Sequence, residues 1–305
     1  MASQAYLFPG QGSQYVGMGS DLYTTSPSAR QVFDQADHVL GTGLSRLCFD
    51  GPAELLNDTI NTQPAILTTS IAALRALEER RVETPSYVAG HSMGEFSALV
   101  AAGALTFEDG LKLVRERGRL MKQAGEQNPG GMAAILGLER EPLEAICATA
   151  REQSGAYVGV ANDNCPGQLV ISGSLAALEM ALEMAQERGA KRAIRLAVSI
   201  AAHSPLMSQA AAEFRHLLDA TPFHEPIVPL VANATAGPLT DPHDIRQALG
   251  RQLTSPVRWS ESVQWMIAQG TSRFVEVGPG DVLTGLLRRI DRSVERASTA
   301  DVLAR

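Results

Sequence analysis

The sequence predicts an α/β protein in which a large domain on a parallel sheet carries a smaller inserted domain. Three observations predict it. Short apolar strands alternate with amphipathic helices toward both ends of the chain. Between residues 129 and 198 that alternation gives way to strand, helix, two strands, helix and strand, the β-α-β-β-α-β order of a ferredoxin-like unit. The composition is that of a globular chain: 305 residues, 45% hydrophobic and 19% charged. Such a chain buries roughly three quarters of the surface its unfolded form exposes.

The first strand, Ala5-Tyr6-Leu7-Phe8, runs into the flexible loop Pro9-Gly10-Gln11-Gly12-Ser13-Gln14. Helices follow at 28–40 and 63–81, where Ile66, Thr69, Ala73, Leu74 and Leu77 share one face. A strand at 87–89 enters Gly90-His91-Ser92-Met93-Gly94 and an apolar helix reaching residue 102. A further helix spans 106–122. The inserted pattern then reads strand 132–136, helix 142–152, strands 157–161 and 169–172, helix 175–188, and an alternating strand at 192–198. The large domain resumes with helix 205–218, strand 227–232, helices 244–253 and 259–269, strand 273–277 and helix 282–290. The expected domains are therefore 1–128 with 199–305, and 129–198. There is no internal repeat and no low-complexity segment.

Lys and Arg total 26 against 33 Asp and Glu, a net charge of −7. A protein that neutralises nucleic-acid phosphates carries a basic balance or a basic block, and this chain has neither. Cys48, Cys147 and Cys165 are too few and too dispersed for a disulfide framework or a CxxC metal site. Buried thiols in a reducing cytoplasm are expected. The first nine residues lack the basic and apolar regions of a leader, and no apolar run approaches the ~18 residues of a membrane span.

The strongest chemical signal is Gly90-His91-Ser92-Met93-Gly94, a GxSxG pentapeptide between a strand and a helix. Such a turn excludes bulk two residues either side of the serine and holds its hydroxyl at a helix N-terminus, where backbone N–H groups can meet an oxyanion. Ser92 is the candidate nucleophile; a capped structural turn is the competing reading. Of six histidines, His203 alone ends a strand-like segment and precedes a Ser-Pro helix start, the kind of position that carries catalysis in open α/β sheets. A structural or solvated histidine is equally compatible with its position. On a helical wheel Arg117 falls inside the apolar arc of Gly110, Leu111, Leu113, Val114, Gly118, Leu120 and Met121. A buried guanidinium needs an anionic partner. Two readings stay open: an internal carboxylate such as Glu95 or Asp163, or a substrate carboxylate gripped bidentately. Pro9-Gly10-Gln11-Gly12 lies where a serine-elbow enzyme forms its oxyanion loop, and it lacks the features of a phosphate loop. Gly278-Pro279-Gly280 reads as a structural turn.

Together with Arg251-Gln252-Leu253, Ala161-Asn162-Asp163-Asn164 and Glu276-Val277-Gly278-Pro279-Gly280, these motifs run in order along the whole chain. The sequence resembles the malonyl-CoA:acyl carrier protein transacylases. The resemblance implies a hydrolase-like large domain with a ferredoxin-like insertion. It further implies Ser92 as the acylated nucleophile, His203 as its base, and Gln11 and Met93 as backbone oxyanion donors. Arg117 would grip the malonyl carboxylate, Asn162 and His91 would contact substrate, and the Gln252 carbonyl would orient His203, with no triad aspartate. The implied reaction is ping-pong transfer of malonyl from malonyl-CoA to the phosphopantetheine thiol of acyl carrier protein, supplying fatty acid synthesis.

No metal, nucleotide or redox cofactor is expected, and neither nucleic acid nor membrane is an expected partner. A monomer acting in trans on a separate carrier protein is expected. Carriers of this kind are acidic, so docking would use local basic clusters such as Lys191, Arg192 and Arg195, or Arg288 and Arg289. Met93 and Phe96 stand where relatives often have Leu and Tyr. Ile200-Ala201-Ala202 replaces a bulkier approach to His203, leaving room for a branched acyl group. The rival readings are a polyketide-pathway acyltransferase, a serine esterase or acyl-thioester hydrolase with the same Ser-His pair, and a non-catalytic carrier-docking module.

Overall fold

The structure, a computed structural model, describes residues 3–304. Its strands, in chain order, are β1 (Ser3–Phe8), β2 (Tyr87–Gly90), β3 (Gly130–Leu136), β4 (Val158–Cys165), β5 (Gln168–Ser174), β6 (Arg192–Arg195), β7 (Leu230–Val231), β8 (Pro238–Leu239), β9 (Thr271–Glu276) and β10 (Glu295–Ser298). One sheet has the order β10-β9-β1-β2-β7-β8 and is parallel except at β8. The central strand β1 is buried on both faces from Gln4 to Phe8, which is why it reads as a continuous apolar run rather than an alternation. Its register pairs Phe8 with Gly90, so the loops leaving β1 and β2 emerge side by side at the carboxyl end of the sheet. The helix Thr59–Glu79 is buried over most of its circumference and packs against the helix Phe107–Gln127.

The second sheet is antiparallel, in the order β4-β5-β3-β6. Ile135, Leu143, Ile146, Val158, Ile171 and Leu178 form a separate apolar cluster between it and the helices Arg140–Ser154 and Leu175–Glu187. Two backbone hydrogen bonds tie β4 to the rest of the molecule, Val257 N–H to Ala161 O at 2.8 Å and Asp163 N–H to Val257 O at 2.9 Å. Arg140 adds an ion pair to Glu261 at 3.0 Å.

Three sequence expectations change. The strand expected at 192–198 ends at Arg195. Its alternation continues through Leu196, Val198 and Ile200, but these side chains line a cavity rather than a sheet face. The strand expected at 227–232 shrinks to Leu230–Val231, because Pro226 and Pro229 have no N–H to give a ladder. The short helices Ser20–Thr25, Leu44–Asp50 and Ala53–Leu56 and the strands β8 and β10 add to the expected elements, being too brief to display a period in the sequence.

No described helix is long and apolar enough to cross a membrane. The three cysteines are free and buried, and burial pushes the Cys48 and Cys147 thiols up to about 12.

Candidate active site

Ser92 occupies the turn between β2 and the helix Gly94–Ala101 with φ 52°, a left-handed conformation for a non-glycine residue. A Cβ on Gly90 would lie 1.9 Å from the Gly94 carbonyl carbon, and one on Gly94 would lie 2.2 Å from Phe8 O. Neither position admits a side chain, which is the steric content of the GxSxG pattern. Backbone strain of this kind costs on the order of 1–3 kcal/mol and persists only where neighbours over-determine it. Asn233 does so. Its Oδ1 accepts the Ser92 N–H at 2.7 Å, its Nδ2 donates to Gly90 O at 2.6 Å, and its own N–H donates to Glu95 Oε1 at 2.6 Å.

His203 Nε2 lies 2.8 Å from Ser92 Oγ. Its Nδ1 lies 2.9 Å from Gln252 O and 3.1 Å from Ser255 O. Carbonyls only accept, so Nδ1 carries the proton and Nε2 offers a lone pair to the serine hydroxyl. Burial, reinforced by the charge of Arg117, pulls His203 down to about 3, so the imidazole is neutral at pH 7. The chain reaches His203 through a segment packed on two glycines. A Cβ on Gly130 would stand 2.8 Å from Ala201 Cβ, and one on Gly125 would stand 2.9 Å from Ser199 O. Ser204 Oγ donates to Ala201 O at 2.6 Å and locks the bend.

Arg117 is 1% exposed. Nη1 donates to Gln63 Oε1 at 2.9 Å; Nε and Nη2 donate to Gln252 Oε1 at 3.2 and 2.9 Å; Nη2 also reaches Ser92 Oγ at 3.2 Å. Among the described residues no carboxylate pairs with it directly. Asp163 is engaged by Arg140 at 3.7 Å. Glu95 sits one residue further back, accepting from Gln252 Nε2, which also donates to Ser92 O at 2.9 Å. The direct internal ion pair that the sequence left open is therefore not formed, and the guanidinium borders the cavity with only neutral hydrogen-bond partners. Burial pulls Arg117 down to about 10, against the opposing charge of Glu95, and it stays cationic at neutral pH. Burial pushes Glu95 up to about 7, against the Asn233 N–H, the Gln252 amide and the charge of Arg117, so its ionised form dominates above neutrality.

The cavity, about 250 Å³, is bordered by Gln11, Met93, Ser92, His203, Arg117 and Asn162 on its polar side and by Met121, Met132, Leu196, Val198 and Ile200 on its apolar side. The N–H groups of Gln11 and Met93 have no acceptor among the described residues, and both residues lie at the mouths of adjacent parallel strands. A Cβ on Gly10 would collide with His91 O at 2.4 Å, so glycine there lets the two loops close on each other. His91 Nε2 is 2.8 Å from Asn164 Oδ1, its ring is 5.5 Å from that of Trp259, and burial lowers its pKa. Asn162, on β4, is buried at the cavity wall. Sequence reasoning missed Asn233, Gln63 and the Ser255 carbonyl. Each is a polar residue in an otherwise ordinary turn or helix, marked out only by what folds against it.

Known proteins share this fold and nearly half of its sequence. Residues 5–305 match the family model described as the acyl transferase domain. The chain is 48% identical over 301 residues to the malonyl CoA-acyl carrier protein transacylase of Bacillus subtilis strain 168, covering 99% of this chain and 94% of that protein. It is 44% identical to the transacylase of the same name from Escherichia coli K12, over 95% and 93% of the two chains. A crystal structure of an acyl carrier protein S-malonyltransferase from Vibrio cholerae superposes with a TM-score of 0.94 at 46% identity, covering 97% of this chain and 96% of that one. A malonyl-transacylase solved in complex with a type II polyketide acyl carrier protein superposes with a TM-score of 0.96 at 42% identity, covering 99% and 98%.

Proposed function

This chain belongs to the acyl transferase family, among the malonyl-CoA:acyl carrier protein transacylases, and on that premise we propose how its residues carry the reaction. It is an acyltransferase that moves a malonyl group from malonyl-CoA to acyl carrier protein. The observation that carries the residue-level reading is the position of Arg117: a buried guanidinium, held only by amides, thioether and hydroxyl, beside a hydrogen-bonded Ser-His pair. That is a receptor for a carboxylate next to a nucleophile.

In the first half-reaction the malonyl carboxylate pairs with Arg117, bringing the thioester carbonyl over Ser92. His203 Nε2 takes the Oγ proton as Oγ attacks the carbonyl carbon, and the imidazolium is steadied by the Gln252 and Ser255 carbonyls at Nδ1. The negative oxygen of the tetrahedral intermediate is met by the free N–H groups of Gln11 and Met93. As the intermediate collapses the C–S bond breaks, His203 returns the proton to the departing sulfur, and CoA thiol leaves a malonyl-serine ester. In the second half His203 deprotonates the phosphopantetheine thiol, whose sulfur attacks the ester carbonyl, and the proton passes to Ser92 Oγ as the C–O bond breaks. Thioester is exchanged for thioester, so the overall reaction is close to thermoneutral. We assign no cofactor, because each step uses groups of this one chain and its two substrates. Asn162 and His91 are assigned to the acyl and thioester side of the cavity.

We read the parallel-sheet portion, 1–128 with 199–305, as a hydrolase-like domain and 129–198 as a ferredoxin-like insertion. The strand order β4-β5-β3-β6 supports the latter. Both contribute to the cavity wall, and a monomer suffices for the chemistry. The buried thiols fit a reducing cytoplasm.

The test is Arg117→Ala assayed with malonyl-CoA and acetyl-CoA. Malonyl transfer should fall about a hundredfold more than acetyl transfer, the scale of losing charge-assisted hydrogen bonds to a carboxylate. Equal losses with both donors would remove Arg117 from acyl recognition.

A further inference from the structure

The neutral surroundings of Arg117 pose a physical problem, because an isolated charge buried this deeply carries a heavy desolvation cost. A direct carboxylate partner would solve it by occupying the donor fork that a malonyl group needs. The structure offers a different arrangement. We propose that Glu95 is a positioning residue for acyl recognition: acting through the side-chain amide of Gln252, it fixes and electrically balances Arg117 while leaving no carboxylate on the guanidinium, whose weak contacts to Met121 Sδ and Ser92 Oγ a substrate carboxylate can displace. This inference rests on the malonyl-transfer reading above and deepens it.

The polarity of one amide is decisive. Gln252 Nε2 donates to Glu95 Oε2 and to Ser92 O, and Gln252 Oε1 accepts from Arg117 Nε and Nη2. Turned over, the amide would set its NH2 against the guanidinium and its oxygen against a carboxylate and a carbonyl. Every favourable contact would become a repulsion. Glu95 and Ser92 O therefore together set which end of Gln252 faces Arg117, with Glu95 supplying the only charge behind that choice, and so where the guanidinium sits. Its other oxygen, Oε1, accepts the Asn233 N–H at 2.6 Å. Both oxygens thus meet donors, a demand that a carboxylate meets and a carboxamide does not, since the NH2 introduced by Glu95→Gln would confront one of them. The same Asn233 holds the Ser92 turn through its side chain. Glu95 is consequently joined to the nucleophile's backbone on one side and to the acyl-recognition arginine on the other. It is itself buried in the first turn of the helix Gly94–Ala101, directly after the serine elbow.

The test compares Glu95→Gln with the unaltered enzyme, measuring KM and kcat with malonyl-CoA and with acetyl-CoA. The KM for malonyl-CoA should rise about tenfold while that for acetyl-CoA stays within about twofold, because acetyl has no carboxylate for Arg117 to receive. In an Arg117→Ala background the same change should add nothing to the malonyl KM, since the path from Glu95 to substrate has been cut. Stoichiometric self-acylation by acetyl-CoA counts the correctly folded chains. Should Glu95→Gln fail to fold, Glu95→Asp keeps the charge with a shorter reach and should raise the malonyl KM selectively by a smaller factor. A purely structural role predicts equal losses of kcat with both donors at unchanged KM, or full additivity with Arg117→Ala; either result overturns the proposal. Normal malonyl loading by the unaltered enzyme with an unmoved malonyl KM in Glu95→Gln sinks this inference alone. Failure of the unaltered enzyme to load malonyl sinks it together with the transfer reading.

Discussion

Ser92 and His203 both adopt positive φ, 52° and 59°. Both residues stand on bent backbone that neighbouring glycines and, at Ser92, Asn233 hold in place. The environment of His203 has a consequence for pH dependence. Its folded-state pKa lies far below the ordinary 6.5, at about 3, chiefly because burial disfavours the cation. The contribution of neutral His203 to stability is therefore present above pH 6.5 and is lost as pH falls toward 3. Neutral imidazole is also the base form, so kcat/KM for acetyl-CoA should show no acid limb with a midpoint near 6.5. A limb centred there would mean that the ring titrates as an exposed histidine does. Ser92 and Arg117 were legible in the sequence because each breaks a local rule, glycine-flanked bulk exclusion in one case and a charge within an apolar arc in the other. Asn233 was not, since its partners lie 138 to 143 positions away and nothing local distinguishes it from a turn asparagine.

Elements place these residues by close contact between backbones. The helices Thr59–Glu79 and Phe107–Gln127 meet at Gly118, where a Cβ would lie 2.5 Å from Thr59 O and 3.0 Å from Ile60 Cα. Those are backbone atoms that no rotamer change can move aside. Gly118→Ala should therefore push the two helices apart, costing about 1–3 kcal/mol of stability. Because Arg117 and its partner Gln63 lie on these same helices, the malonyl-CoA KM should rise as well. Chemical denaturation and steady-state kinetics check the two halves of that expectation, and an unchanged midpoint would show that the interface has slack. The main elements were legible because strands buried on both faces and long amphipathic helices leave distinct periods. The expected 192–198 strand overruns the observed one for a physical reason. Leu196, Val198 and Ile200 alternate as a strand does, but what they face is the cavity beside Ser92, and a period of two does not distinguish the two kinds of apolar surface.

For the whole molecule, the net charge of −7 conceals a local arrangement around the cavity. Lys191, Arg192 and Arg195 are exposed just before the cavity-lining Leu196 and Val198, and Arg288 and Arg289 follow the cavity-lining Val282, Leu283 and Leu286 on one helix. Arg289 reaches across to Gln168 Oε1 at 2.6 Å, so that cluster spans the seam between the two sheets. An acidic carrier docking at the end of the antiparallel sheet where Leu136 pairs with both Gln168 and Arg192 would meet basic side chains of both clusters. Reversing the charge of both clusters should weaken carrier binding and flatten its dependence on ionic strength, while malonyl-CoA self-acylation persists. Unchanged binding and salt dependence would move the docking surface elsewhere. In the proposed mechanism the nucleophile, base, arginine and docking surface all serve one covalent species, a malonyl ester on Ser92 that carrier thiol removes. Intact-protein mass analysis of the chain after brief exposure to malonyl-CoA, then after addition of carrier protein, tests it most directly. The expected result is one malonyl group per chain, absent in Ser92→Ala and transferred intact to the carrier; a chain that stays unmodified, or one whose malonyl group is released as free acid with the carrier unloaded, would contradict the account.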